Sequence, residues 1–383
     1  MALFNKVTVA ALGATVAASS AMAQTDWKDR FTLGGEIRVR EQREVNGQNA
    51  GLTGTTDNWR TRLRTRLSVS AKVNDMLTAN IRMATNVGIG SNGTHNVDFT
   101  QWGSNKPFDL NLGYLDYKPM AGINLHFGKN PNIFWTPGKT PMVWNADQTF
   151  EGLNAKWMGD FGSMKPWVGL SYAQMWERVN NAGNVAADAS NGADVAMFGA
   201  QAGLKWAADP VDVTFGVGSY NYNNIKGLLT STVGTSTLGN SAEGTAPNTT
   251  FRYDYKLLNA GLEVGYNLGF APLTAFFDYV TNSDTSEGNN GMLAGFRLGQ
   301  LKDQGSWTVM YNYRDVARDA VFARVSDTTF LAGTSDVRGH EMQVGYQAWQ
   351  SAALGLTYSS GNRNISAANY TYEAYYLDLV AAF

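Results

Sequence analysis

Arginine occupies every second position from Arg60 to Arg66. A guanidinium group stays charged throughout the physiological pH range, so arginines hold anions or carboxylates but do not exchange protons. The intervening positions carry apolar residues such as Leu63 and Leu67. Successive side chains of a β-strand point to opposite faces, whereas a helix would spread these arginines around its whole circumference. The run therefore predicts a strand with one apolar face and one strongly basic face.

Arginines on the two neighbouring strands are expected to extend this basic face. If the flanking strands pair antiparallel around the connection 42–57, Arg38 lies opposite about position 61 and Arg40 opposite about position 59. Reflection about the turn 73–74 brings Arg82 near position 65. Because like charges in register destabilise a sheet, the group indicates a wall that lines water opposite acids or passes anions. Pairing of the arginines with loop acids, without a role in selectivity, is the alternative. The predicted basic wall consists of Arg38, Arg40, Arg60, Arg62, Arg64, Arg66 and Arg82.

The alternate positions that carry the arginines are expected to face the barrel interior, and we call this alternation the inward parity. Acidic residues of inward parity lie mostly on other strands, and only Glu36 is expected on the arginine face. Opposed basic and acidic walls predict a field across the pore, which admits small polar solutes and retards apolar ones. The seven arginines with Lys205, Arg297 and Arg314 make ten inward cations, against about seven acids. Charges that line a pore set its selectivity, so this surplus predicts a weak anion preference. The predicted acidic wall consists of Asp212, Glu263, Asp278, Glu341 and Asp378.

The rest of the chain repeats the alternation in sixteen segments. A tilted transmembrane strand needs about 9–11 residues, and most of the segments reach that length. Long connections rich in Asn, Gly, Ser and Thr alternate with short turns, several of which hold Pro, Gly, Asn or Asp. Outer-membrane barrels sort their loops in this way, with short periplasmic turns and long extracellular loops. The predicted strands lie near 31–40, 59–71, 75–87, 109–118, 122–129, 149–158, 164–177, 194–207, 210–223, 251–268, 271–282, 290–301, 305–316, 336–348, 351–361 and 370–383.

Composition agrees with a membrane barrel and excludes other classes. Charged residues are 16% of the chain, below the roughly 25% of soluble domains. No apolar run after residue 23 reaches the ~18 residues of a spanning helix. The absence of Cys excludes disulfides and thiolate chemistry, and 12% aromatic residues argue against disorder. A net charge of −2 gives no indication of nucleic acid. We predict an all-β, antiparallel up-and-down transmembrane barrel of about sixteen strands.

The first 23 residues have the pattern of an export signal. Lys6 precedes the apolar stretch 7–18, and Ala21-Met22-Ala23 has the A-x-A form of a cleavage site. We therefore expect residues 1–23 to be a signal peptide and the mature chain to begin at Gln24. Residues 24–383 are expected to form a single barrel domain.

An enzyme and a plugged barrel are the competing interpretations. The histidines His95, His126 and His340 are expected in a loop, on a different wall and near a rim, and none has a Ser–Asp pair beside it. We therefore predict no enzymatic activity, no catalytic residue, no metal site and no cofactor. A plug requires a filled lumen, whereas the inward positions are rich in small residues. Seven inward glycines predict open space, namely Gly199, Gly203, Gly216, Gly261, Gly265, Gly295 and Gly299.

The C-terminal strand resembles the terminal signal of Gram-negative outer-membrane proteins. Its ending residues alternate before a final Phe, and the pattern is carried by Tyr375, Leu377, Leu379 and Phe383. With sixteen strands and an export signal, the chain is similar to the trimeric bacterial porins. The resemblance implies recognition by the barrel-assembly machinery and a homotrimer in the outer-membrane lipid. Leu33, Ile37 and Val39 are candidates for the subunit contact.

In porins of this type the third long loop folds into the lumen and constricts it, which the resemblance implies for residues 130–148. Three prolines stiffen this segment, and its aromatic residues are suited to anchor it. General porins place several acids on this loop, but here only Asp147 is acidic. The residues expected to form the constriction are Asn130, Phe134, Trp135, Lys139, Trp144 and Asp147.

The sequence thus favours a porin of the bacterial outer membrane. We expect passive diffusion of small hydrophilic solutes and ions, with no covalent chemistry. A substrate-specific channel for anionic solutes or sugars is the alternative, because an arginine ladder suits phosphates or carboxylates and aromatic residues suit sugars.

Overall fold

The structure, a computed structural model, describes residues 27–47, 56–86, 95–99, 102–177, 194–232, 237–246, 248–333, 335–367 and 369–383. The predicted signal peptide lies outside these residues. The described chain is almost entirely β-structure, with 3-10 helices at 27–30, 137–139, 230–232 and 330–332. Its strands are β1 (Phe31–Asn46), β2 (Thr56–Lys72), β3 (Leu77–Thr85), β4 (Val97–Asp98), β5 (Phe108–Tyr117), β6 (Ile123–Pro131), β7 (Thr149–Met158), β8 (Met164–Trp176), β9 (Val195–Ala208), β10 (Val211–Asn223), β11 (Ala242–Glu243), β12 (Thr250–Phe251), β13 (Tyr255–Asn267), β14 (Pro272–Asn282), β15 (Asn290–Gly299), β16 (Trp307–Val316), β17 (Val337–Trp349), β18 (Ala352–Arg363) and β19 (Tyr370–Ala382).

Sixteen long strands pair antiparallel with their neighbours in the chain and close into a barrel. The closing contact joins β1 to β19, from Glu36 opposite Ala382 to Asn46 opposite Tyr372. The two-residue strand β4 attaches to β2, while β11 and β12 form a separate two-stranded sheet. The predicted fold class is therefore confirmed.

The two faces of each strand follow the alternation of the sequence. Outward positions carry exposed apolar side chains, as in Leu33, Leu67 and Leu377, and inward arginines such as Arg38 and Arg40 are buried within the barrel. A closed barrel bonds every backbone group of its spanning strands to a neighbouring strand, so it can cross lipid with apolar groups outside. Within the described ranges, no helix has the length and apolar character needed to cross a membrane.

Short turns lie at one end of the barrel and long connections at the other, as the sequence predicts. The long connections are 47–55, 86–107, 132–148, 177–194, 224–254, 283–289, 317–336 and 364–369. Two predicted boundaries are wrong. β1 continues to Asn46, and the segment predicted as one strand over 251–268 begins as a barrel strand only at Tyr255. The preceding Thr250–Phe251 pairs instead with Ala242–Glu243 in a small separate hairpin.

Candidate functional site

The inward arginines of β1 and β2 face each other directly. Arg38 lies opposite Arg64 and Arg40 opposite Arg62, while Arg82 on β3 lies opposite Ser68. The predicted partners were three residues away in each case. The first shift arises because the β1–β2 connection is 47–55 rather than 42–57. The second arises because the turn after β2 spans 73–76 rather than 73–74.

Carboxylates separate these facing arginines. Arg40 donates two hydrogen bonds to Asp378, at 2.8 and 2.7 Å, and Arg38 lies 3.8 Å from the same carboxylate. Arg60 donates to Glu44 at 2.6 Å, and Arg62 lies 2.7 Å from Asp98. Charge-assisted bonds of this kind are about twice as strong as neutral ones. The arginine wall is therefore a lattice of ion pairs, which favours the alternative of pairing with acids over an uncompensated basic surface.

Two of these acids were missed by the sequence reasoning. Glu44 has the inward parity of Glu36, Arg38 and Arg40, but the strand was predicted to stop at residue 40. Continuing the alternation would have found it, so Glu36 is not the only acid of these strands on the arginine face. Asp98 lies on a connection, where no periodicity marks the direction of a side chain.

The short strand β4 brings Asp98 to the wall. β3 ends at Thr85 and leaves the outer part of β2 without a partner on that side, and β4 pairs there with Leu63 and Arg62. The preceding Asn96 accepts a hydrogen bond from Arg38 at 2.6 Å. Its carbonyl accepts one from Arg62 at 3.2 Å. The segment 95–99 thus supplies both an edge strand and ligands for the arginines.

His95 extends the same network. Its Nδ1 accepts a hydrogen bond from Arg66 at 2.8 Å, and its Nε2 lies 2.8 Å from the side-chain nitrogen of Asn111. Asn111 Oδ1 in turn accepts from Arg82 at 2.5 Å. Burial, and then the charge of Arg66, lower the pKa of His95 to about 4. His95 is therefore neutral at neutral pH and accepts from an arginine without adding charge.

The segment 132–148, between β6 and β7, runs along the inner faces of distant strands. The Trp135 N–H donates to Gln201 on β9 at 2.6 Å. The Gly138 N–H donates to Glu263 on β13 at 2.8 Å. The Gly138 carbonyl accepts from Arg297 on β15 at 2.8 Å, so three strands hold the four residues 135–138 of the segment. Asn130 belongs to β6 instead, where it is buried and donates to backbone carbonyls of β6 and β7.

Aromatic residues anchor the segment. Phe134 stacks on Trp144, with ring centroids 5.7 Å apart, and both rings contact Tyr220 of β10, at 4.8 and 5.0 Å. Trp135 meets Trp167 edge-on at 5.7 Å. Offset and edge-on aromatic pairs contribute about 0.5–1.5 kcal/mol each beyond their burial. Lys139, in contrast, is exposed and has a left-handed φ of 53°.

Inward glycines receive these rings, and the prediction that they leave open space is wrong for three of them. A Cβ at Gly199 would lie 2.5 Å from the Phe134 ring, and one at Gly261 would lie 2.5 Å from Pro137. A Cβ at Gly216 would lie 3.1 Å from Trp135. A row of small residues on three strands therefore makes a groove that fits the segment 134–137.

Asp147 carries the end of the segment back to the arginines. Its carboxylate lies 2.6 Å from Arg66 and 3.3 Å from Arg64. Burial alone would raise the pKa of Asp147, but the two arginines outweigh it and hold the pKa below its ordinary value. Asp147 is therefore ionised at neutral pH and neutralises part of the charge of β2.

The predicted acidic residues do not form one wall opposite the arginines. Asp378 lies among them, because barrel closure brings β19 beside β1. Glu263 holds the Gly138 N–H, and Glu341 accepts from Arg314 at 2.9 Å. Asp278 is buried and accepts from Asn259 at 2.6 Å. Asp212 is exposed, and no ion pair to it is found in the part of the chain that the structure describes.

The residues predicted as an assembly signal lie on the outer face. Tyr375, Leu377 and Leu379 are exposed there. Phe383 is exposed too, and its backbone exchanges two hydrogen bonds with Gly35, at 2.8 and 3.1 Å. The described residues contain no group of three or more side chains suited to hold a metal ion.

Comparisons with known proteins agree with the architecture. The family model described as "Putative porin" matches residues 46–256 and 252–383. The structure of OprB from Pseudomonas putida is similar with a TM-score of 0.61 at 10% identity, covering 93% of this chain and 95% of that chain. A multiply substituted Rh. blastica porin gives 0.50 at 11% identity, covering 92% and 100%. OmpT of Vibrio cholerae, lacking one loop, gives 0.50 at 12%, covering 93% and 100%. No curated protein matches the chain.

The family match extends over most of the chain, and the solved structures share its barrel. A closed barrel of sixteen strands is wide enough to hold an aqueous lumen. The chain therefore belongs to this porin family and is a passive channel of the outer membrane.

Proposed function

We propose that the channel passes small hydrophilic solutes through a constriction formed by the segment 132–148 and the arginines of β1–β3. One observation carries the proposal, which is the course of this segment along the inner wall. It is bonded to Gln201, Glu263 and Arg297, and returns to Arg64 and Arg66 through Asp147. A segment held at both walls narrows the passage between them.

We propose a weak anion preference for this constriction. Seven arginines contribute +7, and the five carboxylates among them, Glu36, Glu44, Asp98, Asp147 and Asp378, contribute −5, which leaves +2. Rings of charge select ions by sign, but paired charges present a weaker field than bare ones. The preference should therefore be smaller than seven unpaired arginines would give.

Replacement of Arg60, Arg62, Arg64 and Arg66 by Gln tests this role. Planar-bilayer recordings in a salt gradient should show the reversal potential shifted toward cation preference, because the net charge of the lining changes by −4. The matched control is Arg43→Gln, since Arg43 pairs with Asp57 on the outward parity of the same strands. An unchanged reversal potential in a folded variant would refute the role of the arginines in selectivity.

A substrate-specific channel for anionic solutes is the second candidate. It is favoured by the arginines at successive inward positions along β1 and β2, which could bind an anion at several depths of the pore. Wild-type recordings separate the two. Block of the current by low concentrations of phosphate or carboxylate solutes indicates a binding channel, and a linear conductance without block indicates general diffusion.

We further propose that residues 1–23 are removed after export and that Tyr375, Leu377, Leu379 and Phe383 are read by the barrel-assembly machinery. The exposed apolar residues Leu33, Ile37 and Val39 on β1 support a homotrimer contact. No catalytic step is assigned to the protein.

A further inference from the structure

A second connection, the described part of 317–336, is buried to an unusual degree. Ala320, Phe322, Val325 and Leu331 are each less than 5% exposed. Connections between strands normally run over the surface and expose their backbone to water. Burial of this kind requires that the segment pack within the barrel rather than above it.

The contacts of the segment are to inward side chains. Phe322 packs against Tyr222 of β10, Tyr255 of β13 and Phe251, with ring centroids 5.2–5.7 Å apart. Leu331 lies so close to Gly361 of β18 that a Cβ there would be 2.9 Å from it. The three barrel residues among these, Tyr222, Tyr255 and Gly361, have the inward parity, so the segment lies on the lumen side of the wall.

The segment reaches well below the outer rim. The Thr329 carbonyl accepts a hydrogen bond from Tyr376 of β19 at 3.0 Å. Tyr376 is six residues from the outer end of its strand, at Tyr370, which is roughly 20 Å along the strand at about 3.3 Å per residue. The guanidinium of Arg40 lies 4.5 Å from the Tyr376 ring. The segment therefore extends down to the level of the arginine wall.

Arg314 of β16 fastens the segment in this position. It is 2% exposed and bonds to Asp327 of the segment and to Glu341 of β17. Its guanidinium also lies 4.3 Å from the centroid of the Phe330 ring. A buried arginine needs such partners, because an uncompensated charge in the interior is strongly destabilising.

Arg314 holds the other inward segment too. It donates to the carbonyl of Pro141, in 132–148, at 2.8 Å. Further along 132–148, Asn145 donates a hydrogen bond through its backbone N–H to the Val325 carbonyl at 2.8 Å. The Asn145 side chain donates to Thr328 at 2.9 Å. One side chain of the wall and one pair of crossing contacts thus join the two segments.

Hydrogen bonds to a third connection fix the other end. Asp319 accepts from the Ser241 N–H and hydroxyl, at 2.9 and 2.5 Å, and from the Tyr255 hydroxyl at 3.1 Å. Asn240 donates to the Val321 carbonyl at 2.9 Å. The segment is therefore bonded at both ends and packed in between.

Unfilled space remains on the arginine side. A cavity of about 460 Å³ is lined by Phe322 and Val325 of the segment, and also by His95, Asn111 and Asp147, which are hydrogen-bond partners of the arginines. Residues of β3 and of β5–β9 complete the lining, so the space lies between the segment and this part of the wall.

We propose that residues 317–333 form a second constricting segment that fills the lumen beside β10–β19 and confines solutes to the arginine side. In this proposal Arg314 is the positioning residue that keeps both segments inside the barrel. The proposal rests on the channel function only for its conductance readout, so a second readout that needs no conduction is included.

The test replaces Arg314 by Met in the cysteine-free wild type, for conductance, and in a single-cysteine variant, for thiol labelling. The chain has no cysteine, so Leu331→Cys places a single thiol at a buried position of the segment that does not line the cavity. In the purified full-length barrel, this thiol should be protected from a water-soluble maleimide, and Arg314→Met should raise its labelling rate by an order of magnitude or more. Glu243→Cys, at an exposed position, is the control for full labelling.

The matched control for the arginine is Arg338→Met. Arg338 pairs with Asp315 at 2.8 Å, one residue further along the same two strands, but on the outward parity. It should leave both the labelling rate and the conductance unchanged. Gel mobility of unheated and heated samples verifies that each variant retains a folded barrel.

Conductance supplies the second readout. Deletion of 320–332, closed by a short Gly-Ser linker, should raise single-channel conductance about two-fold, because the segment contacts inward residues of five strands in a pore whose width limits flow. Equal conductance in the deletion variant, or unchanged thiol protection in folded Arg314→Met, overturns the proposal. If no variant conducts, the channel function fails, and the labelling arm still decides whether the segment is held inside by Arg314.

Discussion

The lumen has two unlike sides that share one barrel and one inward parity. Along β1–β3 the inward residues include seven arginines, and most of them are bonded to carboxylates. Along β8–β19 many inward residues are apolar or aromatic, including Tyr220, Tyr222, Leu257 and Met310, and they are covered by inward-folded segments. The difference shows that inward parity defines only the side of the wall. Inward residues are mainly charged where no segment covers them and mainly apolar where an inward-folded segment packs on them.

The covered side teaches how a barrel can hold a core. Outward apolar residues meet lipid, as every membrane barrel requires. Inward apolar residues need a partner inside, and Phe134, Trp144 and Phe322 supply it from connections rather than from strands. The interior of this barrel is therefore packed like a globular domain on one side and charged on the other.

The largest effect is expected when the glycine groove that holds residues 134–137 on the covered side is filled by a larger side chain. Gly261→Val should displace the segment 132–148, because a Cβ at this position already falls 2.5 Å from Pro137. We expect single-channel conductance to rise about two-fold as the constriction loosens. Gly265→Val is the control, since a Cβ there meets Asp212 at an ordinary 3.6 Å. Equal effects of the two substitutions would show that the groove does not position the segment.

The next smaller effect is a dependence of stability on pH, which we expect on the charged side because of His95. The pKa of His95 is lowered from 6.5 to about 4 in the folded state, so the unfolded state binds more protons between these values. Stability that is present above pH 6.5 is lost as the pH falls toward 4, by about 3 kcal/mol in total. We expect thermal scans or limited proteolysis of segment 95–99 to show this loss.

The same pH dependence measured in His95→Gln should be flatter between pH 6.5 and 4. His340→Gln is the control, because His340 lies on the outer surface against Tyr311, away from the arginines. Equal slopes for the wild type and His95→Gln over this range would contradict the assignment of His95 as a buried neutral acceptor.

The smallest effect concerns the balance of charge on the arginine side. Asp147→Asn removes one negative charge between Arg64 and Arg66, whereas Glu36 and His95 continue to hold these arginines. The reversal potential in a salt gradient should move slightly toward anion preference. Asp160→Asn, at an exposed turn between β7 and β8, should not move it. A shift toward cations would mean that Asp147 mainly positions the segment.

Much of the barrel could be predicted from residue order, because strand periodicity is a local property. The alternation from Arg60 to Arg66 identifies both faces of β2, and loop lengths identify the two rims. Register could not be predicted to better than three residues, as Arg38 and Arg82 illustrate. It depends on where each turn closes, and turn residues such as Val73–Met76 do not mark their own ends.

The arrangement inside the lumen was the least predictable part. The glycines at 199, 216 and 261 read as empty space, because a glycine that makes room for a ring and one that lines water look the same in a sequence. Inward apolar residues on β10, β13, β15 and β16 were a usable sign. A polar-in pattern that fails repeatedly on neighbouring strands indicates that something apolar covers them.

The bonds that hold the constriction join residues far apart in the chain. Gly138 and Glu263 are 125 residues apart, and Pro141 and Arg314 are 173 apart, whereas each barrel strand pairs mainly with its immediate neighbour. Contacts between distant residues form slowly, because a long stretch of chain must first be ordered. Neighbouring strands can therefore pair before the constriction forms, whereas barrel closure joins residues that are still further apart, such as Arg40 and Asp378. Narrowing is a late step that waits for the arrival of β16.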